Sequence, residues 1–370
     1  MNDLQTLPQT QANHSRQGSP PTACQRPRDR TIDTLRGLAI FTMIAANLAA
    51  PVLVEPHPYW LRLYGSFAAP LFVVLSGMMV AYGTQNGHTL RHYVVRGAVL
   101  VAIASLLDAF VWHDFPLLSM DVLYLLGISL PVAYVCVKLN SRARWLIIGT
   151  IVLCTPLLQH TLGYADFPKE VTFARGSRMA LAPSDFLHHW LIDGWFPLFP
   201  WLGFTVFGVQ VAGLRPAPSS ATRHGESPGL YRIGAALLGM GGVLWYALPG
   251  PFLVRAGYSE LFYPPTPGFV VTAAGVFLTL LGVIDRTSDL PVYRPLERLG
   301  KSALTIYVAH LLLIHFAISH FAEDVHLAGF ALLYAGLIVI MLALAHAEQV
   351  LETQWRTAGI GRLNSPQPSK

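Results

Sequence analysis

The sequence predicts an all-α, polytopic integral membrane protein of about ten transmembrane helices, with both termini in the cytoplasm. Three observations lead there. Of 370 residues, 53% are hydrophobic and only 12% are charged, against roughly 25% charged in soluble domains. A soluble chain of this length cannot cover its surface with so few charges, whereas a lipid-facing surface should be apolar. Apolar runs of about 17 to 21 residues recur along the chain, the length that a hydrocarbon core of about 30 Å asks of a helix. With the N-terminus placed inside, 20 of the 25 Lys and Arg fall on the cytoplasmic side. The five outside are Arg62, Lys169, Arg175, Arg178 and Arg255. Such an asymmetry, alternating at every loop, is the positive-inside signal, and omitting one helix would scramble it.

Residues 1–29 are polar, rich in Gln, Pro and Ser, and lack the apolar stretch of a signal peptide. They are expected to form a disordered cytoplasmic tail. The transmembrane domain is expected over 30–350 and a second cytoplasmic tail over 351–370. Span one, 34–54, opens with Asp33-Thr34-Leu35-Arg36-Gly37 and carries Asn47 in its outer half. The outside loop after it reads Glu55-Pro56-His57-Pro58-Tyr59-Trp60, and its two prolines restrict the backbone around His57. Span two, 66–83, contains Pro70-Leu71-Phe72 and Ser76-Gly77. Arg91 and Arg96 stand at the cytoplasmic start of span three, 93–112, and Asp108 and Asp121 flank the short loop into span four, 117–137.

Span five is placed at 145–162, six at 195–214, seven at 230–248, eight at 268–284, nine at 303–322 and ten at 327–346. Pro131, Pro156, Pro197 and Pro200 lie inside spans, where neighbouring helices can satisfy a broken ladder, so they read as kinks. Span nine follows Leu299-Gly300-Lys301-Ser302 and carries Tyr307 and His310. Trp60, Trp112, Trp195 and Trp201 lie near expected interfaces and read as an aromatic belt.

Several chemistries are excluded. Gly300-Lys301-Ser302 resembles the end of a phosphate-binding loop, but the upstream glycine it requires falls on Pro295. No HExxH and no GxSxG occurs. Three dispersed cysteines, Cys24, Cys136 and Cys154, make neither a disulfide framework nor a metal site. His188-His189 lies on the outside, and adjacent helical side chains are expected to diverge, so no metal is expected there. The net charge of +5 is scattered between apolar runs, which argues against a nucleic-acid partner.

Polar groups at membrane depth are costly and usually have a reason. Each candidate has an ordinary reading too: Asp33 and Arg36 as a cap and an anchor, Arg96 as a topology residue, His57 as an interfacial histidine, His310 as a packing hydrogen bond, Asp108 and Asp121 as loop acids. Taken together, the ordered set resembles the heparan-α-glucosaminide N-acetyltransferase family, a branch of the transmembrane acyltransferases, from about residue 30 to 320. The matching pieces are Ile32 through Ile40, Asn47, His57 with Trp60, Pro70-Leu71-Phe72, Arg96, Phe196 through Gly203, and Leu299 through Tyr307 with His310. One departure is that the family pattern has an acid shortly before the proline of the second helix, where this chain reads Gly65-Ser66-Phe67-Ala68-Ala69.

The resemblance implies an enzyme that takes an acetyl group from cytoplasmic acetyl-CoA and gives it to an extracytoplasmic amino sugar or related glycan. It implies His57 as the catalytic histidine with Asn47 as its polar partner. Arg36, Arg96, Tyr307 and His310 are then expected on the donor, and Asp108, Asp121 and Trp60 on the acceptor. A general-base route and a covalent acetyl-histidine route are both open. Membrane lipids are expected partners, a homodimer is open, and a bacterial inner membrane is the expected location. The competing reading is a transporter or lipid-handling protein without catalysis; the absence of an inverted repeat speaks against it.

Overall fold

A computed structural model describes residues 28–164, 183–215, 229–248, 254 and 260–363. Its elements are helices: α1 Arg30–Val52, α2 Tyr59–Ser66, α3 Ala68–Gln85, α4 Leu90–Leu107, α5 Val122–Val137, α6 Ser141–Leu162, α7 Pro183–His188, α8 Leu198–Leu214, α9 Leu230–Ala247, α10 Pro267–Thr287, α11 Arg294–Lys301, α12 Ala303–Phe316 and α13 Leu327–Leu363. No strand occurs among the described residues. Among them, eight segments are long and apolar enough to cross a membrane, and the pair Phe186–Asp193 and Leu198–Leu214, bent by 55°, makes a ninth. The remaining predicted span is α5, only 16 residues long. It is short because the chain before it folds inward, burying Leu118, Ser119 and Met120.

Other boundaries differ for local reasons. α1 starts before the predicted span because the Asp29 carboxylate caps it, accepting from Thr31 N and Ile32 N at 3.1 and 3.3 Å. Pro131 and Pro156 lie inside α5 and α6, whereas Pro197 precedes α8 and non-helical Phe199 follows it, giving the bend. α13 runs on to Leu363. The expected tail 1–29 lies outside the described residues except for Arg28 and Asp29. Trp201 is not part of a belt: it is fully buried, packed edge-on against Phe196 and Phe262 at centroid distances of 4.9 and 5.1 Å.

α1, the α2–α3 pair and α10 form the centre, each 61% buried over its apolar window, whereas α6 is 11% buried and faces outward. Exposed apolar side chains on such helices suit contact with lipid. Glycines set the closest crossings. A Cβ at Gly77 or Gly208 would enter the backbone of the facing helix at Thr205 or Val74, so α3 and α8 touch backbone to backbone. Gly37 and Gly300 do the same where α1 meets α11.

The loops sort into two ends. At one, Arg30 bonds Glu297 and Asp289, and buried Arg215 bonds Asp29 and Asp285, while Tyr82 Oη donates to Arg215 O at 2.9 Å. At the other, Val54 N donates to Val325 O at 3.2 Å, and Trp195 stacks edge-on with Tyr263. The count of basic residues makes the first of these ends the expected cytoplasmic one. In a background free of Cys24, Cys136 and Cys154, His57→Cys and Glu323→Cys are expected to react with an impermeant thiol reagent from one side. Arg91→Cys and Arg294→Cys should react only from the other. Labelling of positions 57 and 91 from the same side would contradict the arrangement. Lys169 and Arg223 belong to the same expectation and lie outside the described residues.

Candidate active site

α1 organises three polar regions. At the end that holds the α1–α2 turn, Ala46 and Ala49 of α1 line a small cleft, open to solvent, with His57, Leu61, Arg62, Gly65 and Glu260. The helices approach closely there: a Cβ on Gly65 would lie 2.8 Å from Ala46 Cβ. His57 sits on the turn between Pro56 and Pro58, half-buried, with Nε2 3.1 Å from Leu53 O. A carbonyl only accepts, so Nε2 carries the hydrogen and the neutral ring's lone pair lies on Nδ1. Arg62 stands on α2.

Glu260 reaches the cleft from the segment before α10. Leu261, Phe262 and Tyr263 behind it are all buried, and Leu261 N donates to Ser66 Oγ at 2.8 Å. Burial pushes the Glu260 carboxyl above the ordinary carboxylate range, and the Arg62 charge counters that in part.

The second region lies inside the bundle. Asn47 faces α12, with Nδ2 2.9 Å from His310 Nε2. His310 is fully buried, and its Nδ1 is 2.9 Å from Ile306 O. That carbonyl fixes the hydrogen on Nδ1, so Nε2 accepts from the Asn47 amide. One turn earlier on α12, Tyr307 Oη donates to Asp121 Oδ2 at 3.1 Å, while Asp121 Oδ1 caps α5 through Val122 N at 2.6 Å. Buried Asp108 accepts from Tyr124 Oη at 2.6 Å and from Ser119 Oγ at 3.3 Å. The Asp121 charge acts on Asp108, and the Asp108 charge on Tyr307. Asn47, His310, Tyr307, Asp121 and Asp108 thus make a row of polar side chains from α1 across α12 to α5 and α4.

The third region is at the opposite end of α1. Arg36 Nη1 donates to Asp33 Oδ1 at 3.1 Å and to Gly300 O at 3.3 Å, and Arg28 Nε donates to Asp33 Oδ2 at 2.8 Å. Arg96 on α4 is exposed, lies within electrostatic reach of Arg36, and makes no ion pair among the described residues. Lys301 also acts on Asp33. Arg28, Arg36, Arg96 and Lys301 thus gather around Asp33, and Asp29 also acts on Arg36.

The nine candidates fall into these regions unevenly. Asn47 and His57 are not brought together, because the cleft is lined by Ala46 and Ala49, which occupy another face of the helix. Asp108 is buried at the end of α4, and the inward fold of 113–121 brings half-buried Asp121 to the start of α5. Trp60 is 58% exposed and does not line the cleft. Glu260 was not legible as a site residue, because nothing local marks it; Leu261 N on Ser66 Oγ holds its segment at the cleft. His188 and His189 do not diverge: their Nδ1 atoms lie 3.0 and 2.7 Å from the two oxygens of buried Asp193. A π-helical turn over His189–Asp193 brings the fifth residue onto the same face as the fourth.

A family model described as heparan-alpha-glucosaminide N-acetyltransferase, catalytic, matches residues 28–242, which is more than half of the chain and runs from α1 into α9. The match includes Arg36, Asn47, His57, Trp60, Arg96, Asp108 and Asp121, and leaves Glu260, Tyr307 and His310 beyond its end. No individual curated protein matches.

Proposed function

Since the chain belongs to the heparan-alpha-glucosaminide N-acetyltransferase family and is a transmembrane acetyltransferase, we propose that it moves an acetyl group from cytoplasmic acetyl-CoA to an amino sugar or related glycan on the far side of the membrane. One observation carries this reading. A cluster of cations and a histidine cleft stand at opposite ends of α1, with the polar row between them.

The cationic end is taken as cytoplasmic on the count of basic residues. Guanidinium and ammonium groups of Arg28, Arg36, Arg96 and Lys301 suit the phosphates of a nucleotide. Acetyl-CoA supplies an acetyl group already activated as a thioester. Arg36 and Asn47 are about 16 Å apart along α1 at the usual helical rise, so a long, thin arm is required between the two ends. Asn47 gives one amide hydrogen to His310 and keeps a second for a polar group of that arm. His310 and Tyr307 hold that amide and the neighbouring Asp121 in fixed orientations. At the mouth, His57 accepts through Nδ1 the proton that an attacking amine must lose.

Arg36→Ala and Arg96→Ala are expected to raise the KM for acetyl-CoA more than that for the acceptor. A lost charge-assisted bond costs about 1.5–3 kcal/mol, which is reduced for exposed Arg96. Arg36 also ties α1 to Gly300, so Arg96 is the cleaner probe. Steady-state kinetics with each substrate varied separately checks this; an equal rise in both constants for Arg96→Ala would contradict it. The function itself is tested by free thiol release from acetyl-CoA by the purified protein, offered glucosamine, glucose or neither. Release that depends on glucosamine supports the reading. Solute counterflow with no thioester consumed would favour a transporter instead.

A further inference from the structure

We propose that Glu260 is the acceptor-binding residue of the His57 cleft, a carboxylate that pairs with the ammonium form of an amino sugar and so selects amines over alcohols. The inference rests on the acetyl-transfer reading for the identity of the reaction and on geometry for the site. Glu260, His57 and Arg62 are the titratable side chains lining the cleft. Glu260 is the acid among them, and its position is built rather than incidental. The three residues behind it, Leu261, Phe262 and Tyr263, are anchored in the core. Leu261 N is held by Ser66 Oγ, which in turn donates to Arg62 O at 2.7 Å. The same serine therefore fixes both the acid's segment and the turn of α2 that carries Arg62. Burial raises the Glu260 pKa and the Arg62 charge offsets that in part, so it is the placement of the acid beside His57 that offers it to a cation.

The chemistry requires such a group. An amino sugar arrives largely as R–NH3+, which has no lone pair to attack with. Glu260 holds the ammonium by a charge-assisted bond, and His57 takes one proton. The free amine nitrogen then forms the N–C bond as the C–S bond of the thioester breaks. The products are the N-acetyl sugar and the CoA thiol, with one proton released in net. A hydroxyl acceptor carries no charge for Glu260 to bind and gains nothing from it. Glu260 lies beyond the segment that the family model matches, so the acid comes from this chain's own later segment.

The test uses the full-length protein, glucosamine as the amine probe and glucose as the neutral one. Glu260→Gln is expected to raise the KM for glucosamine about tenfold or more, with kcat and the KM for acetyl-CoA little changed. Glu260→Asp should fall between. Calorimetric binding of glucosamine without acetyl-CoA should follow the same order, and glucose should bind equally to all three. Unchanged glucosamine KM and binding in Glu260→Gln would overturn the inference, as would a parallel rise in both KM values with a lowered Tm. A wild-type protein that binds no glucosamine would overturn it too. Glucosamine binding that depends on Glu260, without any acetyl transfer, would support Glu260 as the amine ligand while removing the acetyl-transfer reading.

Discussion

His57→Ala is expected to insert, purify and bind acetyl-CoA normally, yet lose about 10²- to 10⁴-fold in acetyl-transfer rate, the range for removing a general base. The geometry gives the reason. His57 is the one imidazole lining the cleft, on a turn bounded by two prolines. Its Nε2 is committed to Leu53 O, which leaves Nδ1 as the basic atom of the neutral ring. His57→Gln keeps a polar group of similar length without a comparable base, and should be as slow as the alanine variant. Single-turnover measurements on protein already loaded with acetyl-CoA separate the chemical step from donor binding. Retention of more than about a tenth of the wild-type rate, a smaller loss than a general base accounts for, would take His57 out of the chemistry.

Arg215→Met should be the most destabilising of the single substitutions considered, by about 3–5 kcal/mol, because it leaves a buried carboxylate unpaired. Arg215 is 1% exposed and bonds Asp285 through Nε and Nη2 and Asp29 through Nη1, at 2.8, 2.6 and 2.6 Å. It thereby joins the cap of α1 to the ends of α8 and α10, and Tyr82 of α3 binds its carbonyl. Burial works against the guanidinium charge, but the hydrogen bonds it donates to Asp285 and Asp29 outweigh that and hold the pKa above the ordinary arginine range. The clamp therefore does not loosen by deprotonation of Arg215 as pH rises. Adding Asp285→Asn to Arg215→Met should recover part of the loss, since the uncompensated charge is then gone. Thermal unfolding in one detergent compares all three proteins. A change below about 0.5 kcal/mol, the usual range for surface sites, would show that Arg215 acts only as a basic loop residue.

That second case shows how far the sequence reached. Arg215 counted correctly toward the basic end of the molecule, yet a count of charges cannot distinguish a solvated anchor from a buried one. Eight of the ten expected spans, and a ninth as a bent pair, were legible because hydrocarbon thickness imposes a length on a crossing helix. Their interruptions were not, since the inward fold before α5 and the bend before α8 arise from tertiary contacts such as Trp195 N to Ser119 O and Phe196 N to Met120 O. His57 could be picked out by its paired prolines and its spacing from Asn47 and Trp60. The expectation that Asn47 works beside it did not foresee that Asn47 turns to His310, because facing on a helix depends on which neighbour packs there. Asp108 and Asp121 were read from a loop, but Asp108 is buried at the end of α4, and the folding of that loop into the bundle brings half-buried Asp121 to the start of α5. Glu260 had no local signal at all; the hydrogen bond from Leu261 N to Ser66 Oγ joins its segment to the cleft.

The central claim is that one protein carries an acetyl group between two compartments, and a sided reconstitution tests it most directly. Vesicles holding the purified protein are loaded with acetyl-CoA labelled in the acetyl group, and glucosamine is supplied only on the opposite face. In vesicles whose cationic end faces the lumen, labelled N-acetylglucosamine should accumulate outside while free CoA accumulates inside, and His57→Ala vesicles should give neither. Label that appears on the sugar only when donor and acceptor share a compartment, or thioester that stays intact while glucosamine crosses the membrane, would contradict the account.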